Sequence, residues 1–463
     1  MQSQTKEPKV SASSQQSISV RALAKAMTSN LITQLLVGCF MAFPGASMDV
    51  LLVQFHWTIA DFGTSALIQG IFAFLGNIFA NWRVPSRPNL TTELRISQFF
   101  VLAGVAIVYG WEFLVSPLPF HLPAITRALG FAFIGFGVGI QAIVNNTQAL
   151  RSHAPSSALM LVAFTFTFGA LVFPFLTGFF LASIPEFTTH NWKLILLPIF
   201  LLATWNALWP ITGRLTKSQT QMTEYPNSHS HSPQSDTGTA TTDTGTATTD
   251  TGTATTDTAA PPATATSTSQ TKPPAFLPYA LGFLLFLYMG IEINVTNGIA
   301  LLGIQLNSIP NSLARFAPSA LWLGILMSRF VTAIFPLQPA RFRVWTWQAS
   351  VPLTILLAAL AIFPFSTIAW FTLIITIGCF LGPFYGFIVG QSSHLYHGDT
   401  VAKNAATIAT IGSAGGILMP FLFGQIAEFQ GLRTGFVFMV ATAATLFVCA
   451  ILVAILGVKP KKN

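Results

Sequence analysis

Charge is scarce in this chain. Only 8% of its 463 residues are Asp, Glu, Lys or Arg, whereas a soluble domain carries roughly a quarter. So few charges cannot cover a water-facing surface, which excludes a soluble globular protein and leaves lipid as the main surroundings. Cysteine is nearly missing as well. Cys39, Cys379 and Cys449 stand singly inside apolar runs, with no CxxC or Cys/His spacing, so neither a disulfide framework nor a metal site is implied. There is no nucleophile–base pair, P-loop or HExxH stretch, and no segment suited to a soluble nucleotide-binding domain. An enzyme is not expected, and no cofactor is. A net charge of +8 does not mark a nucleic-acid binder, because the basic residues lie in the gaps between apolar stretches instead of along one face.

What is plentiful is apolar. Hydrophobic residues make up 52% of the chain, with 42 Phe and 28 Pro, as suits helices that are apolar all round and tolerate kinks. A membrane span needs about 20 such residues. Six stretches qualify before a central break (30–54, 62–82, 96–115, 123–149, 157–182, 192–213) and six after it (276–302, 316–336, 346–366, 368–393, 403–426, 434–457). Between the third and fourth of the second set, Pro364 and Ser366 must carry the whole turn. The expected fold is an all-α membrane protein, with twelve transmembrane helices in two six-helix bundles.

The break is compositional. The unit D-T-G-T-A-T-T occurs three times, from Asp236, Asp243 and Asp250. Its seven-residue period lacks the apolar a and d positions of a coiled coil, and Thr, Gly, Pro and Ala tracts cannot bury enough surface to fold. A glycosylated stalk is the alternative, which would need to lie outside the cell. The expected order is a cytoplasmic tail (1–27), a first bundle (28–215), a disordered cytoplasmic linker (216–274), a second bundle (275–457) and a cytoplasmic tail (458–463). The first apolar run is too long for a signal-peptide core, so it reads as an uncleaved span. With both termini inside, inner segments hold 18 Lys and Arg, and outer segments hold four: Arg127, Lys193, Arg315 and Arg433. That asymmetry is the positive-inside pattern, and shifting the parity by one span would scramble it. A multi-pass protein of the cell membrane is expected, acting as a monomer in the bilayer.

An ionisable group deep in a span costs at least about 2.5 kcal/mol, so it is a functional candidate. Two acids fall well inside spans: Asp49 in the first and Glu292 in the seventh. These are the first helices of the two halves, which line the central cavity in duplicated carriers. Asp49 follows Pro44-Gly45, and a desolvated carboxylate there can bind and release a proton near neutral pH; the alternative places it near the outer water interface, shortly before His56-Trp57. Glu292 is accompanied by Asn294, Thr296 and Asn297, which line a cavity or bond neighbouring helices. In the fourth span Gln141, Asn145 and Gln148 share one face at i, i+4, i+7. Their amides suit sugar hydroxyls, or else ordinary interhelical bonds. The glycine runs at 135–139 and 411–416 allow close helix approach; with no strand before them, they are not dinucleotide loops.

Several of these stretches resemble the major facilitator superfamily, and within it the fucose permease-like branch of sugar:proton symporters. M-D-V-L-L-V-Q-F in the first span is similar to N-D-x-L-L-P-x-F, and F-L-Y-M-G-I-E in the seventh to F-x-Y-x-G-x-E. L-W-L-G-I-L-M-S-R-F resembles W-x-G-x-x-x-G-R, and S-A-G-G-I-L-M-P-F-L-F-G-Q-I-A resembles G-G-x-x-x-P-x-x-x-G. The resemblance covers nearly all twelve spans. It implies alternating access around a central polar site, with Asp49 as the proton-linked carboxylate and Glu292 on the signature Glu. Gln141, Asn145, Asn294 and Asn297 would line the site beside Glu292, and Arg329 and Arg83 would act at the gate. Two positions depart: Gln141 stands where the branch has a coupling Glu, and A-N-W-R-V-P-S-R-P replaces G-x-x-x-D-R-x-G-R, keeping basic character at Arg83 and Arg87. The expectation is proton-coupled uptake of a sugar or similar neutral polar solute. Efflux of drug-like compounds on the same fold, or a transport-dead sensor or scaffold, are the alternatives.

Overall fold

The computed structural model describes residues 27–54, 56–84, 87, 89–109, 124–151, 155–184, 192–209, 274–335, 341–396 and 399–456. The tails and the repeat-bearing linker expected at 1–27, 216–274 and 458–463 lie outside these residues, apart from Met27 and Pro274.

Every described element is helical. The first half contains α1 (Thr28–Gln54), α2 (Ile59–Arg83), α3 (Thr91–Tyr109), α4 (Ala124–Leu150), α5 (Pro155–Ser183) and α6 (Leu197–Leu208), the last preceded by a 3₁₀ turn at Trp192–Leu196. The second half contains α7 (Leu277–Asn307), a one-turn helix at Asn311–Ala314, α8 (Ala317–Ile334), α9 (Phe342–Ile362) and α10, whose pieces Thr367–Leu381 and Phe384–Leu395 are interrupted at Gly382-Pro383. It ends with α11 (Asp399–Gln430) and α12 (Leu432–Leu456). Ten helices among the described residues are long and apolar enough to cross a membrane: α1–α5, α7 and α9–α12. The 12-residue α6 and the 18-residue α8 are not among them. The chain is a multi-pass membrane protein.

Local sequence accounts for the helix limits. α2 opens with a capping box: the Asp61 amide donates to Thr58 Oγ1, and the Thr58 amide donates to an Asp61 carboxylate oxygen. This satisfies two of the four orphan donors of a helix start. The turn between α9 and α10 spans only Phe363 to Ser366, and the Phe365 amide donates to Asn307 Oδ1 at 2.8 Å. Pro44, Pro174, Pro352 and Pro420 lie inside α1, α5, α9 and α11; neighbouring helices in a membrane bundle satisfy the backbone groups that such prolines free.

The packing of the second half repeats that of the first. α1 packs on α5, α2 on α4 and α3 on α6; six helices later α7 packs on α11, α8 on α10 and α9 on α12. Across the halves α1 meets α7, α2 meets α11 and α5 meets α8. Exchanging the two halves leaves this set of cross-contacts unchanged. Outward faces are apolar, as on α2, where Ile71, Phe74, Ile78 and Trp82 are exposed at helical spacing. Lipid covers such a stripe without cost.

Candidate transport site

A buried ionisable cluster lies mid-way along α7. Glu292 is 5% exposed, and its Oε1 sits 3.6 Å from Arg329 Nη2 on α8. Arg329 has two further partners: Nε donates to the Gly382 carbonyl at 3.1 Å, and Nη1 donates to Thr167 Oγ1 on α5 at 2.7 Å. The Gly382-Pro383 interruption of α10 presents that carbonyl, since proline disrupts the regular helical ladder. One guanidinium therefore joins α7, α8 and α10 to α5 of the other half. Its planar fork of donors is what makes three directions reachable from one side chain. Tyr288, one turn before Glu292 and fully buried, faces both charges and stacks on Phe384 at 5.7 Å. On the same α8 face Trp322 packs edge-on against Phe166 of α5 at 5.7 Å, and its indole N–H has no partner.

Asp49 is elsewhere. It pairs with Arg315, whose Nη2 is 2.6 Å from Asp49 Oδ2, in the turn between the one-turn helix and α8. Arg315 Nη1 also donates to the Leu181 carbonyl at the end of α5, at 3.0 Å. This is the end of the molecule that holds the C-terminus of α1, and contacts between the halves run from there to its middle. Glu428 of α11 accepts from the Ile59 amide at the start of α2, at 3.0 Å, where a carboxylate complements the helix dipole. Ser319 Oγ donates to the Leu171 carbonyl at 2.9 Å. Gly63 and Gly424 let α2 and α11 touch: a Cβ on Gly63 would lie 2.8 Å from the Pro420 carbonyl oxygen, and one on Gly424 would lie 2.8 Å from that of Ile59. Gly45, beside Pro44, packs on the Thr296 carbonyl of α7 in the same way.

The amides divide into bonded and unbonded. Asn145 on α4 accepts from Asn30 Nδ2 at 2.9 Å and donates to Gln34 Oε1 at 2.8 Å, so it ties α4 to α1. Gln141, one turn earlier and 3% exposed, has a buried Oε1 with no partner. It lines a small hollow with Gln98, Leu36, Val37 and Phe40. Gln98 donates to Thr33 Oγ1 at 2.8 Å, and Asn206 of α6 reaches the same oxygen at 3.1 Å. Asn294 donates back to the Gly290 carbonyl at 2.9 Å, whereas Asn297 Oδ1 is buried without a partner. Both line a second hollow between the halves, walled by Met48, Phe62, Pro420 and Phe423. Arg83 lies at the opposite end from Asp49 and pairs with Glu93 at 2.9 Å, joining α2 to the start of α3.

The structure thus brings Glu292 together with Arg329, Asn294 with Asn297, and Asn145 with α1; it places Asp49 and Arg83 at opposite ends, each with its own partner. Sequence reasoning missed Arg315, which it counted only as an outer-loop charge, and Thr167, one hydroxyl among many. It also missed Glu93, which is fully buried. The opposite charges at Arg83 and Glu93, ten residues apart across a short loop, were the signal for that pair.

No family model matches the chain, and no curated protein matches it in sequence. Solved structures do match in shape. The inward-open xylose transporter XylE from E. coli superposes with a TM-score of 0.66 at 10% identity, covering 95% of this chain and 98% of that one. The nucleoside transporter NupG gives 0.58 at 13% identity over 95% and 99%. A bacterial homologue of the human lysosomal transporter Spinster, inward-facing and unoccupied, gives 0.60 at 14% over 95% and 99%. The chain has the fold of major facilitator transporters.

Proposed function

We propose that this chain is a proton-coupled secondary transporter that imports a sugar or similar small neutral polar solute by alternating access, with its twelve helices acting as two six-helix bundles. The observation that carries this reading is Arg329, held at once by Glu292 and Gly382 of its own half and by Thr167 of the other. A charge shared across the seam between two repeated halves must exchange partners when the halves rock, and a ligand that competes for it biases that motion. The repeated helix pairing supports the two bundles. The positive-inside count supports placing the Asp49–Arg315 end outside, so this conformation is the one closed to the exterior.

In this cycle a proton taken up by Asp49 from outside removes the attraction to Arg315. Substrate binding then closes the outer end around the central cavity, and the proton leaves Asp49 to the inside as the pair with Arg315 re-forms. Glu292, Gln141, Asn294 and Asn297 supply the polar lining, with Asn145 of α4 beside them, held to α1. The unpartnered oxygens of Gln141 and Asn297 suit hydroxyl donors. A sugar is favoured over a charged solute because the two central charges already neutralise one another. The printed description of one solved neighbour as a D-xylose-proton symporter agrees in chemistry.

The test is uptake of radiolabelled monosaccharides into proteoliposomes with and without an inward proton gradient, for wild type, Asp49→Asn and Glu292→Gln. Gradient-stimulated uptake of one sugar, lost in Asp49→Asn, is the expected result. Uptake equal in wild type and Asp49→Asn and indifferent to the gradient would reduce the chain to a facilitator. Failure of every sugar would overturn the substrate class.

A further inference from the structure

The end of the first half opposite Asp49 is basic beyond any need of the transport site. Arg83 at the end of α2, Arg87 after it, Arg95 on α3 and Arg151 after α4 meet there, against the single described acid Glu93. Arg151 is braced by the backbone, donating to the carbonyls of Arg87 at 2.9 Å and Val84 at 3.3 Å. Arg95 is exposed and donates through one nitrogen to the Leu208 carbonyl at the end of α6, at 3.4 Å, which leaves its other donors directed outward.

Apolar surface leads to that guanidinium from the lipid side. Phe99, one turn from Arg95 on the same face of α3, is 65% exposed. Across the α3–α6 groove Trp205 and Trp209 are exposed and pair at 5.5 Å, beside the carbonyl that Arg95 holds. Tryptophan at a span end marks the headgroup level of a bilayer. An outward arginine at that level, with aromatic surface running from it toward the membrane centre, matches one molecule with an anionic head and apolar tails. We propose that the α3–α6 groove binds the phosphate headgroup of an anionic phospholipid on Arg95, with its acyl chains along Phe99 and Trp205 and with Arg83, Arg87 and Arg151 supplying the surrounding positive field. A juxtamembrane arginine adds attraction to anionic lipid of this kind, and the inference stands independently of what the chain transports.

Native mass spectrometry of the full chain in detergent, titrated with dioleoylphosphatidylglycerol or dioleoylphosphatidylcholine, tests it. The anionic lipid is expected to bind about fivefold more tightly, the contribution of one such arginine. Arg95→Gln should remove most of the preference while Arg95→Lys keeps most of it. Trp209→Ala, which leaves the charge in place, should weaken both lipids and so gives a second readout should Arg95→Gln fold poorly. Equal binding of the two lipids by wild type, or a preference unchanged in Arg95→Gln, would overturn the proposal. Displacement of the anionic lipid by millimolar inorganic phosphate would overturn the lipid as its source and leave a free-phosphate site.

Discussion

Arg315 grips Asp49 through two nitrogens, Nη2 at 2.6 Å and Nε at 3.1 Å from the same oxygen, while its third nitrogen holds the end of α5. Three segments from two halves thus converge on one guanidinium. Removing one partner strands the other. For a buried pair this costs about 3–5 kcal/mol, and the partial exposure of Asp49 points to the lower end. Arg315→Gln should therefore lower the melting temperature, and the double variant Arg315→Gln/Asp49→Asn should recover most of the loss. If the pair also latches that end, a cysteine placed at Met48, in a chain whose own three cysteines are replaced, should react faster with an impermeant maleimide in Arg315→Gln. An unchanged labelling rate would mean that the pair stabilises the fold without gating it.

Arg329 makes a sharper demand, because its partners lie in different directions. Lysine retains the charge but presents a single point donor on a flexible stem. Arg329→Lys should lose uptake almost as fully as Arg329→Gln, at least tenfold, while Thr167→Val, which removes one neutral acceptor, should cost less. Parallel melting curves separate a transport defect from a folding one. Near-normal uptake in Arg329→Lys would show that charge alone is needed there, and that the three-way geometry is incidental.

The neighbours Gln141 and Asn145 differ in a way that stability measurements can read. Asn145 makes two interhelical bonds, and such bonds in membranes average about 0.6 kcal/mol each. Asn145→Leu should destabilise by about 1 kcal/mol. Gln141 buries an oxygen with no partner, so Gln141→Leu should be neutral or stabilising. If Gln141 touches the solute, the same change should raise the apparent KM for uptake several-fold. A variant that is destabilised with its KM unmoved would return Gln141 to the role of helix glue.

How much of this was legible follows from what each signal measures. Apolar runs report surroundings residue by residue, and so most helices lie within a few residues of where the sequence put them. α6 falls short because a 3₁₀ turn precedes and shortens it. The two intramembrane acids stood out because charge is rare there. What they pair with did not, since Asp49 and Arg315 are 266 positions apart and nothing local relates them. Amides gave the least. Gln141 and Asn145 are one turn apart on one helix face, yet only one of them meets a partner, and that depends on where α1 lies.

The contact between Gly63 and Gly424 yields the most direct test of which end closes. Here α2 and α11 approach until added methyl groups would press on carbonyl oxygens 2.8 Å away, nearer than ordinary carbon–oxygen contact allows. Neither glycine has positive φ, so the backbone itself tolerates a side chain and the obstacle is the opposing helix alone. Gly63→Val should wedge the two halves apart at the Asp49 end without unfolding either, because each half keeps its own packing. The expected result is a melting temperature close to wild type, uptake lost, and faster maleimide labelling of the cysteine at position 48. Gly424→Val should behave alike, since it strikes the same interface from the other side. A large drop in melting temperature for both variants would instead mean that the α2–α11 contact is part of a fixed core, and that the halves do not part along it.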